Sequence, residues 1–318
     1  MLVHLFGNSE FIRFTGCVLS FLITWLFLKY NSKILPTDQG RAYAHEGSLS
    51  KGKPRGAGIV FVCAFAVAAL LCGHLTVETS AYLLLILLCM LTGYLDDRSA
   101  NPWNEYKKGA LDLLVAVLVA AVYLVYNGST VTFMMFGYRQ IHFNPILLGI
   151  ILVIIVWTSI NVTNCADGVD GLSATLAIIS IGTLYLVQAG EGNYTTYGYF
   201  SLIFISCLLA YLWYNATPSL LMMGDAGSRA MGLFIAIAVF KTGDISLYIP
   251  VALVLILYGG LGLFKVALLR FLKIHILKNI RTPLHDQVRK NMGWSNTQCV
   301  YRFAIIQIIV NLAILYLV

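Results

Sequence analysis

The sequence predicts an all-α integral membrane protein with about ten transmembrane helices. Hydrophobic residues make up 59% of the 318 residues and charged residues only 11%, whereas a soluble domain carries about 25% charged residues. This balance excludes both a soluble globular protein and a disordered chain, because neither can leave so much apolar surface in water. The second observation is that the apolar residues form runs long enough to cross a bilayer as helices. We therefore interpret residues 1–318 as one polytopic transmembrane domain.

Ten apolar runs are candidates for membrane spans. They cover residues 13–31, 56–74, 79–95, 110–126, 144–162, 171–189, 197–215, 228–242, 246–269 and 302–318. The ninth run is interrupted by Gly259, Gly260 and Gly262, which predicts a broken helix. Its continuation, Lys265–Ile280, mixes bulky apolar with basic residues, as expected of an amphipathic segment in the membrane interface.

The segment between the fourth and fifth runs has a different pattern. Residues 128–143 (GSTVTFMMFGYRQIHF) alternate between polar and apolar side chains. Alternation of this kind with turn residues in the middle is typical of a β-hairpin. We expect a small hairpin on the outer face, with its turn near Gly137 and Tyr138.

The distribution of basic residues predicts the orientation. With ten spans, all but three of the 21 Lys and Arg residues fall on one side of the membrane, the exceptions being Arg13, Arg139 and Lys241. Cytoplasmic loops carry the excess of Lys and Arg, so the rich side is cytoplasmic and both termini lie outside. The net charge of +7 then reflects topology and anionic partners, and no nucleic-acid partner is expected.

The first of three acidic motifs follows the third run. Asp96 and Asp97 are adjacent, and Lys107 and Lys108 open the next helix. Adjacent helical positions point about 100° apart, so the two carboxylates are not expected to chelate one ion as a unit. One would face a site while the other meets a lysine or another supporting group. The alternative is a plain helix end with lysines as interfacial anchors.

The second motif lies between the fifth and sixth runs and combines amides with carboxylates. Asn161, Asn164, Asp167 and Asp170 occur within it, and each aspartate is followed by glycine. If the segment is helical, Asn164, Asp167 and Asp170 share one face. Capping of the following helix explains Asp170 alone, but not all four residues.

The third motif, Gly224-Asp225-Ala226-Gly227-Ser228, precedes the eighth run. It suits either a helix N-cap or a site for phosphate and Mg²⁺, since Mg²⁺ binds through one or two carboxylates with substrate phosphates and water. The predicted topology puts all three acidic motifs on the cytoplasmic face. His285 in the last inner loop is a further candidate, either binding a phosphate or relaying a proton, or having neither role.

Four motifs together resemble a known family. They are DDR…KK at 96–108, NxxNxxDGxDGL at 161–172, MGDAGS at 223–228 and TPLH…GW at 282–294. In this combination the sequence resembles the polyprenyl-phosphate N-acetylhexosamine-1-phosphate transferases. The first inner loop, Glu46–Gly58, and the stretch Thr282–Phe303 resemble the branch that uses UDP-MurNAc-pentapeptide. That family also has ten spans with both termini outside.

The resemblance implies an activity and a location. The reaction is transfer of phospho-MurNAc-pentapeptide from UDP-MurNAc-pentapeptide to undecaprenyl phosphate, which yields lipid I and UMP for peptidoglycan synthesis. Mg²⁺ is the implied cofactor. The implied location is the bacterial cytoplasmic membrane with the active site on its inner face, and the implied assembly is a homodimer.

The resemblance also implies roles for individual residues. Asp225 would ligate Mg²⁺ with support from Asp167, and Asp96 or Asp97 would handle the lipid phosphate, with Asp96 favoured. The implied catalytic residues are Asp96, Asp97, Asp225 and His285. The implied substrate-binding residues are Lys51, Lys108, Asn161, Asn164, Asp167, Asp170 and Met222.

The sequence departs from the branch pattern at two of these places. Three consecutive histidines usually follow TPL, whereas the chain has His285-Asp286-Gln287, and Met222 stands where an aromatic residue commonly stacks on uracil. Three alternatives therefore stay open: a sister transferase that uses UDP-GlcNAc for teichoic acid or surface polysaccharide, a non-catalytic relative, and a cation-coupled transporter.

Overall fold

The computed structural model describes residues 10–38, 40, 50–99, 101, 103–190, 196–277 and 280–318. The longer helices are α1 (Glu10–Asn31), α2 (Gly58–Cys72), α3 (Val77–Arg98), α4 (Glu105–Asn127), α5 (Pro145–Ala166), α6 (Leu172–Gly190), α7 (Thr196–Asn215) and α8 (Gly224–Phe240). The short helices α9 (Tyr248–Val251), α10 (Leu253–Leu255), α11 (Leu261–Ala267) and α12 (Leu284–Met292) follow. The last helix, α13 (Asn296–Leu317), is as long as α1, with 22 residues. Each of the ten predicted runs falls on helical structure.

Eight helical stretches of the described residues are long and apolar enough to cross a membrane. The chain is therefore a multi-pass membrane protein. Helix α2, with 15 residues, and helix α8, with 17, are shorter. Every residue of α8 is buried, and its closest neighbours are α3 and α5, so α8 runs through the centre of the bundle. The ten-span count and the outer position of both termini stay predictions.

The β-hairpin is confirmed. Strand β1 (Thr130–Phe133) pairs antiparallel with β2 (Arg139–His142). The turn uses Gly137 at φ 78° and Tyr138 at φ 54°, a left-handed conformation that glycine adopts without strain. Asp244, which follows α8, accepts a hydrogen bond from the Met134 amide at 2.8 Å. This bond ties the hairpin to the same end of the bundle as the end of α8.

The ninth segment corrects one prediction. The predicted break exists, but it lies at Ala252 (φ −109°), between α9 and α10, and not at Gly259–Gly262, where a π-helical turn over Ile256–Gly260 continues into α11. A Cβ at Gly259 would collide with the carbonyl of Val162 in α5, so this glycine permits close helix packing.

The predicted amphipathic helix is shorter than expected. Helical structure in the ninth segment ends at Leu272, where Lys273 turns left-handed at φ 59°. Lys265 donates to the carbonyls of Leu277 and Ile280 at 3.0 and 2.9 Å, which holds the chain after the helix end close to α11. Residues 278–279 of the predicted segment lie outside the described residues. An interfacial position of this segment stays a prediction.

Candidate active site

The N-terminus of α8 presents Asp225. The helix begins at Gly224, four residues before the predicted run, so Asp225 lies in its first turn. The local capping alternative is wrong, because the N-cap residue Met223 makes no side-chain cap and Ser228 Oγ donates back to the Gly224 carbonyl at 2.9 Å. Instead, Asp97 of α3 accepts a hydrogen bond from the Ala226 amide at 3.0 Å. A carboxylate in this position stabilises a helix N-terminus, so Asp97 fixes the start of α8 from a neighbouring helix.

Glycines bring three helices together at this point. A Cβ at Gly93 of α3 would collide with the backbone of Asp225, and a Cβ at Gly58 of α2 would collide with the backbone of Gly227. Small residues let helix backbones approach closely inside membranes. The ends of α2, α3 and α8, together with the loops attached to them, are therefore held at one place.

Two cations neutralise Asp225. Arg55, from the loop before α2, donates from Nη2 to Asp225 Oδ1 at 3.3 Å, and Lys108 of α4 donates from Nζ to Oδ2 at 3.1 Å. Lys108 also pairs with Asp96, which in turn accepts a hydrogen bond from the Trp103 amide at 2.7 Å. The two adjacent aspartates of α3 thus support Asp225 by different routes, Asp96 through Lys108 and Asp97 through the α8 backbone.

Arg55 contacts two further carboxylates. Its Nε donates to Asp97 Oδ1 at 2.8 Å and its Nη1 to Asp38 Oδ1 at 3.1 Å. Burial by itself would lower the pKa of Arg55, but the charges of Asp97 and Asp225 outweigh it and raise that pKa above its ordinary value. Burial likewise opposes ionisation of Asp38, yet the Ser50 hydrogen bond and Arg55 hold the pKa of Asp38 below its ordinary value. Arg55 and Asp38 are therefore charged at neutral pH.

A cavity of about 320 Å³ opens beside Asp225. Its wall is formed by four parts of the chain: the loop before α2, the turn after α5, the segment before α8 and the region around α12. The charged residues that line it are Asp38, Lys53, Arg55, Asp167, Asp170, Asp225 and Arg289. Five of the predicted site residues lie in this wall, namely Asn164, Asp167, Asp170, Met222 and Asp225. The three acidic motifs of the sequence therefore converge, with Asp96 and Asp97 connected to the cavity through Lys108 and Arg55.

The second motif reaches the cavity by a turn. Helix α5 ends at Ala166, so Asp167 is its C-cap and Asp170 does not lie on the helical face predicted for it. Gly171, at φ 81°, closes the turn that brings Asp170 round to the cavity. The side chains of this motif are held from three sides: Asn164 donates to Ser228 at 3.0 Å, Asp167 accepts from Ser173 at 2.8 Å, and Asp170 accepts from the Ser219 amide at 3.1 Å.

Six predicted site residues are absent from the cavity wall. They are Asp96, Asp97 and Lys108, whose contacts are given above, and Asn161, Lys51 and His285. Asn161 donates to the Trp157 carbonyl at 2.8 Å, one turn further along α5. Lys51 is exposed, whereas Lys53 and Arg55 from the same loop line the cavity. His285 is buried at the start of α12 and packs directly over Gly168, where a Cβ would collide with the imidazole. It therefore adjoins the turn that carries Asp167.

Arg55 is not among the site residues predicted from the sequence. The residue lies in a loop rich in basic residues, where the excess of Lys and Arg in cytoplasmic loops already explains its charge. The available signal was chemical: several carboxylates converging on one face need a buried counter-charge, and Arg is the residue suited to bridging them. Arg289 was overlooked for the same reason.

The carboxylates of the cavity can be tested for their fit to Mg²⁺. Among the described residues, no group of three or more His, Cys, Asp and Glu side chains is arranged to hold a metal by itself. Asp167 and Asp225 nevertheless line one cavity, and Mg²⁺ usually binds through one or two carboxylates together with substrate phosphates and water. The donor set therefore fits Mg²⁺ that binds together with a diphosphate.

Fold and site together define a polytopic membrane protein with a charged cavity that suits anionic substrates, and the proteins to which it is similar are transferases. The profile described as glycosyl transferase family 4 matches residues 79–243, which run from α3 to the end of α8 and include the three acidic motifs. The chain is 39% identical over 312 residues to the phospho-N-acetylmuramoyl-pentapeptide-transferase of Treponema pallidum (strain Nichols), with 93% of this chain and 86% of the relative covered. It is 26% identical over 341 residues to the transferase of that name from Helicobacter hepaticus, with 96% and 92% covered.

A third relative agrees with these two. The phospho-N-acetylmuramoyl-pentapeptide-transferase of Campylobacter jejuni is 28% identical over 316 residues, with 91% of this chain and 87% of the relative covered. The chain belongs to glycosyl transferase family 4, in the branch of the phospho-N-acetylmuramoyl-pentapeptide-transferases. The resemblance found in the motifs is confirmed, and the transporter alternative is excluded.

Proposed function

We propose that the protein transfers phospho-MurNAc-pentapeptide from UDP-MurNAc-pentapeptide to undecaprenyl phosphate, forming lipid I and releasing UMP in peptidoglycan synthesis. The reaction takes place on the cytoplasmic face of the bacterial plasma membrane. The observation that carries the proposal is the position of Asp225, which faces a cavity shared with Asp167 and lies at the start of a buried helix. The names of the relatives, which specify this transfer, support the choice of substrate.

Charge neutralisation is the main requirement of the proposed reaction. Both substrates are anionic, and phosphoryl transfer depends on positioning and electrostatic stabilisation more than on covalent chemistry. Mg²⁺ held by Asp225 and Asp167 would neutralise the diphosphate. Lys53 and Arg289 line the same cavity, and they would add positive charge for the leaving UMP and the sugar phosphate.

The lipid phosphate is assigned to the side of Asp225 that faces α3 and α4. Asp97 already accepts hydrogen bonds from Arg55 and from the Ala226 amide, so its proposed role is to position α8. Asp96 shares Lys108 with Asp225. We assign to Asp96 the orientation of the attacking phosphate, with Lys108 pairing its charge.

The remaining residues are proposed to bind the nucleotide and the sugar. Asn164, Asp167, Asp170 and Met222 line the cavity and are assigned to the uridine diphosphate. Asn161, one turn along α5, and His285, packed on Gly168, support that surface, and His285 is placed near the sugar phosphate. Lys51 is assigned to substrate capture at the exposed edge of the first loop. The proposed unit is the single domain 1–318, assembled as a homodimer.

The substrate assignment is tested with purified protein and undecaprenyl phosphate in detergent. We expect UMP release with UDP-MurNAc-pentapeptide, and we expect it to require both Mg²⁺ and the lipid phosphate. The sister activity is favoured by His285-Asp286-Gln287 and by Met222, where the branch pattern has three histidines and an aromatic residue. UMP release with UDP-GlcNAc alone would reverse the choice of substrate, and no release with either sugar would favour a non-catalytic relative.

A further inference from the structure

Arg55 is paired with the carboxylate of Asp225, which is proposed to hold the metal. Its guanidinium joins Asp38, Asp97 and Asp225, which come from three separate segments of the chain. The side chain is 16% exposed, and it faces the cavity. Arg55 and the carboxylate proposed to hold the metal therefore face the same cavity.

The backbone around Arg55 is fixed against the segment that leads into Asp225. The Arg55 amide donates to the Pro36 carbonyl at 2.7 Å, the Met222 amide donates to the Pro54 carbonyl at 2.8 Å, and the Ala57 amide donates to the Met222 carbonyl at 3.0 Å. Gly56, at φ 80°, makes the turn between these pairings. Because the main chain is held on both sides, any movement of the guanidinium has to come from side-chain rotation.

The two cations on Asp225 are not equivalent. Arg55 contacts Oδ1 at 3.3 Å, while Lys108 contacts Oδ2 at 3.1 Å. Arg55 lines the cavity through which a diphosphate would enter, and Lys108 is absent from the residues that line it. A divalent ion that enters this cavity with the substrate therefore comes next to Arg55. The 3.3 Å contact is also the longest of the three that Arg55 makes with carboxylates.

The guanidinium suits an exchange of partners. It has five donors in a rigid fork, so it can release one carboxylate while it keeps the other two. We propose that Arg55 is an exchangeable counter-ion of Asp225. It holds the carboxylate in place before substrate binds, and it yields Oδ1 to the divalent cation while staying bonded to Asp97 and Asp38. This inference rests on the proposed function, because it takes Asp225 as the metal ligand.

Competition between Arg55 and the metal is measured with Mn²⁺ alone, without nucleotide or lipid. Free Mn²⁺ is followed by its electron paramagnetic resonance signal during titration of the purified protein. We expect Arg55→Met to bind Mn²⁺ at least about tenfold more tightly than the wild type, which corresponds to about 1.4 kcal/mol, while UMP release falls. Unchanged or weaker Mn²⁺ binding by a folded Arg55→Met protein would overturn the proposal.

Lys53→Met is the matched control. It removes the same charge from the same loop, but Lys53 donates to Ser219 Oγ at 3.1 Å. We expect its effect on Mn²⁺ affinity to be at most about threefold, as for a charge that acts only at a distance through solvent. If Lys53→Met raised Mn²⁺ affinity as much as Arg55→Met, the gain would come from the loss of any positive charge near the site. That result would overturn the specific role of Arg55.

A second variant covers the case in which Arg55→Met does not fold. Arg55→Lys keeps the charge but cannot bridge three carboxylates, and we expect Mn²⁺ affinity between those of the wild type and Arg55→Met. No gain in Arg55→Lys would contradict the proposal by itself. Asp225→Asn in the Arg55→Lys background separates the two levels of inference. If Mn²⁺ still binds after this change, the assignment of the metal to Asp225 is wrong. If the Asp225→Asn change abolishes Mn²⁺ binding but the Arg55 substitutions leave Mn²⁺ affinity unchanged, only the exchange of partners by Arg55 is wrong.

Discussion

Asp225→Asn is expected to lower UMP release by about a hundred- to a thousandfold, as removal of one electrostatic contact to a transition state commonly does. Asparagine has nearly the same shape but lacks the charge that a divalent cation requires. The fold should survive, because the start of α8 is held by the Asp97 hydrogen bond at 3.0 Å and by the glycine contacts with α2 and α3. Initial rates of UMP release at saturating Mg²⁺ give the effect, and thermal unfolding in detergent reports the fold.

Asp170→Asn is the control for Asp225→Asn. Asp170 lines the same cavity, but its carboxylate accepts a hydrogen bond from the Ser219 amide at 3.1 Å, a contact that asparagine retains through its carbonyl oxygen. We expect Asp170→Asn to raise the KM for the nucleotide sugar more than it lowers kcat. Wild-type turnover in a folded Asp225→Asn protein would show that the metal assignment is wrong.

A buried ion pair between α4 and α8 is expected to contribute strongly to the stability of the folded protein. Asp112 of α4 and Arg229 of α8 form an ion pair inside the bundle, with each residue 2% exposed. Arg229 Nε donates to Asp112 Oδ1 at 3.0 Å, and Nη2 contacts the same oxygen. Removing one partner of such a pair leaves a buried charge uncompensated, which costs about 3–5 kcal/mol. We expect Asp112→Leu to lower the temperature at which the detergent-solubilised protein loses its folded state, followed by size-exclusion chromatography after heating.

The double variant Asp112→Leu with Arg229→Met is the matched control. Replacement of a whole buried pair by apolar residues is often neutral or stabilising, so the double variant should recover most of the stability lost in Asp112→Leu. If the double variant were as unstable as the single one, the loss would come from packing around α8 and not from the unpaired charge of Arg229.

Most of the fold follows from elementary properties of the sequence. A run of about 20 apolar residues can satisfy its backbone groups in a membrane only as a helix, so the ten runs predicted the helices directly. The hairpin followed from alternation and from a turn at Gly137. The position of the break in the ninth segment was predicted wrongly, because glycine can serve either as a hinge or as a point of close helix packing. Gly259 packs closely against Val162, and only the position of the neighbouring helix distinguishes this use from a hinge.

The carboxylates of the site could be predicted from the sequence, but the ion pairs and hydrogen bonds that join them could not. Asp96, Asp167 and Asp225 stood out because acidic residues at membrane depth are costly and tend to be functional. Arg55 did not, since a basic residue in an inner loop is already accounted for by the positive-inside rule. The capping of α8 by Asp97 depends on the packing of Gly93 against Asp225, a contact between distant parts of the chain that no local pattern contains.

Side chains from separate loops line one cavity beside Asp225, and we propose that this cavity holds Mg²⁺ together with a diphosphate. Anomalous scattering from Mn²⁺ in crystals grown with UDP-MurNAc-pentapeptide would locate the metal. We expect one anomalous peak about 2.0–2.2 Å from a carboxylate oxygen of Asp225, with the diphosphate bound beside it and the guanidinium of Arg55 no longer on Oδ1. A peak bound elsewhere, with Asp225 still held by both Arg55 and Lys108, would contradict this proposal.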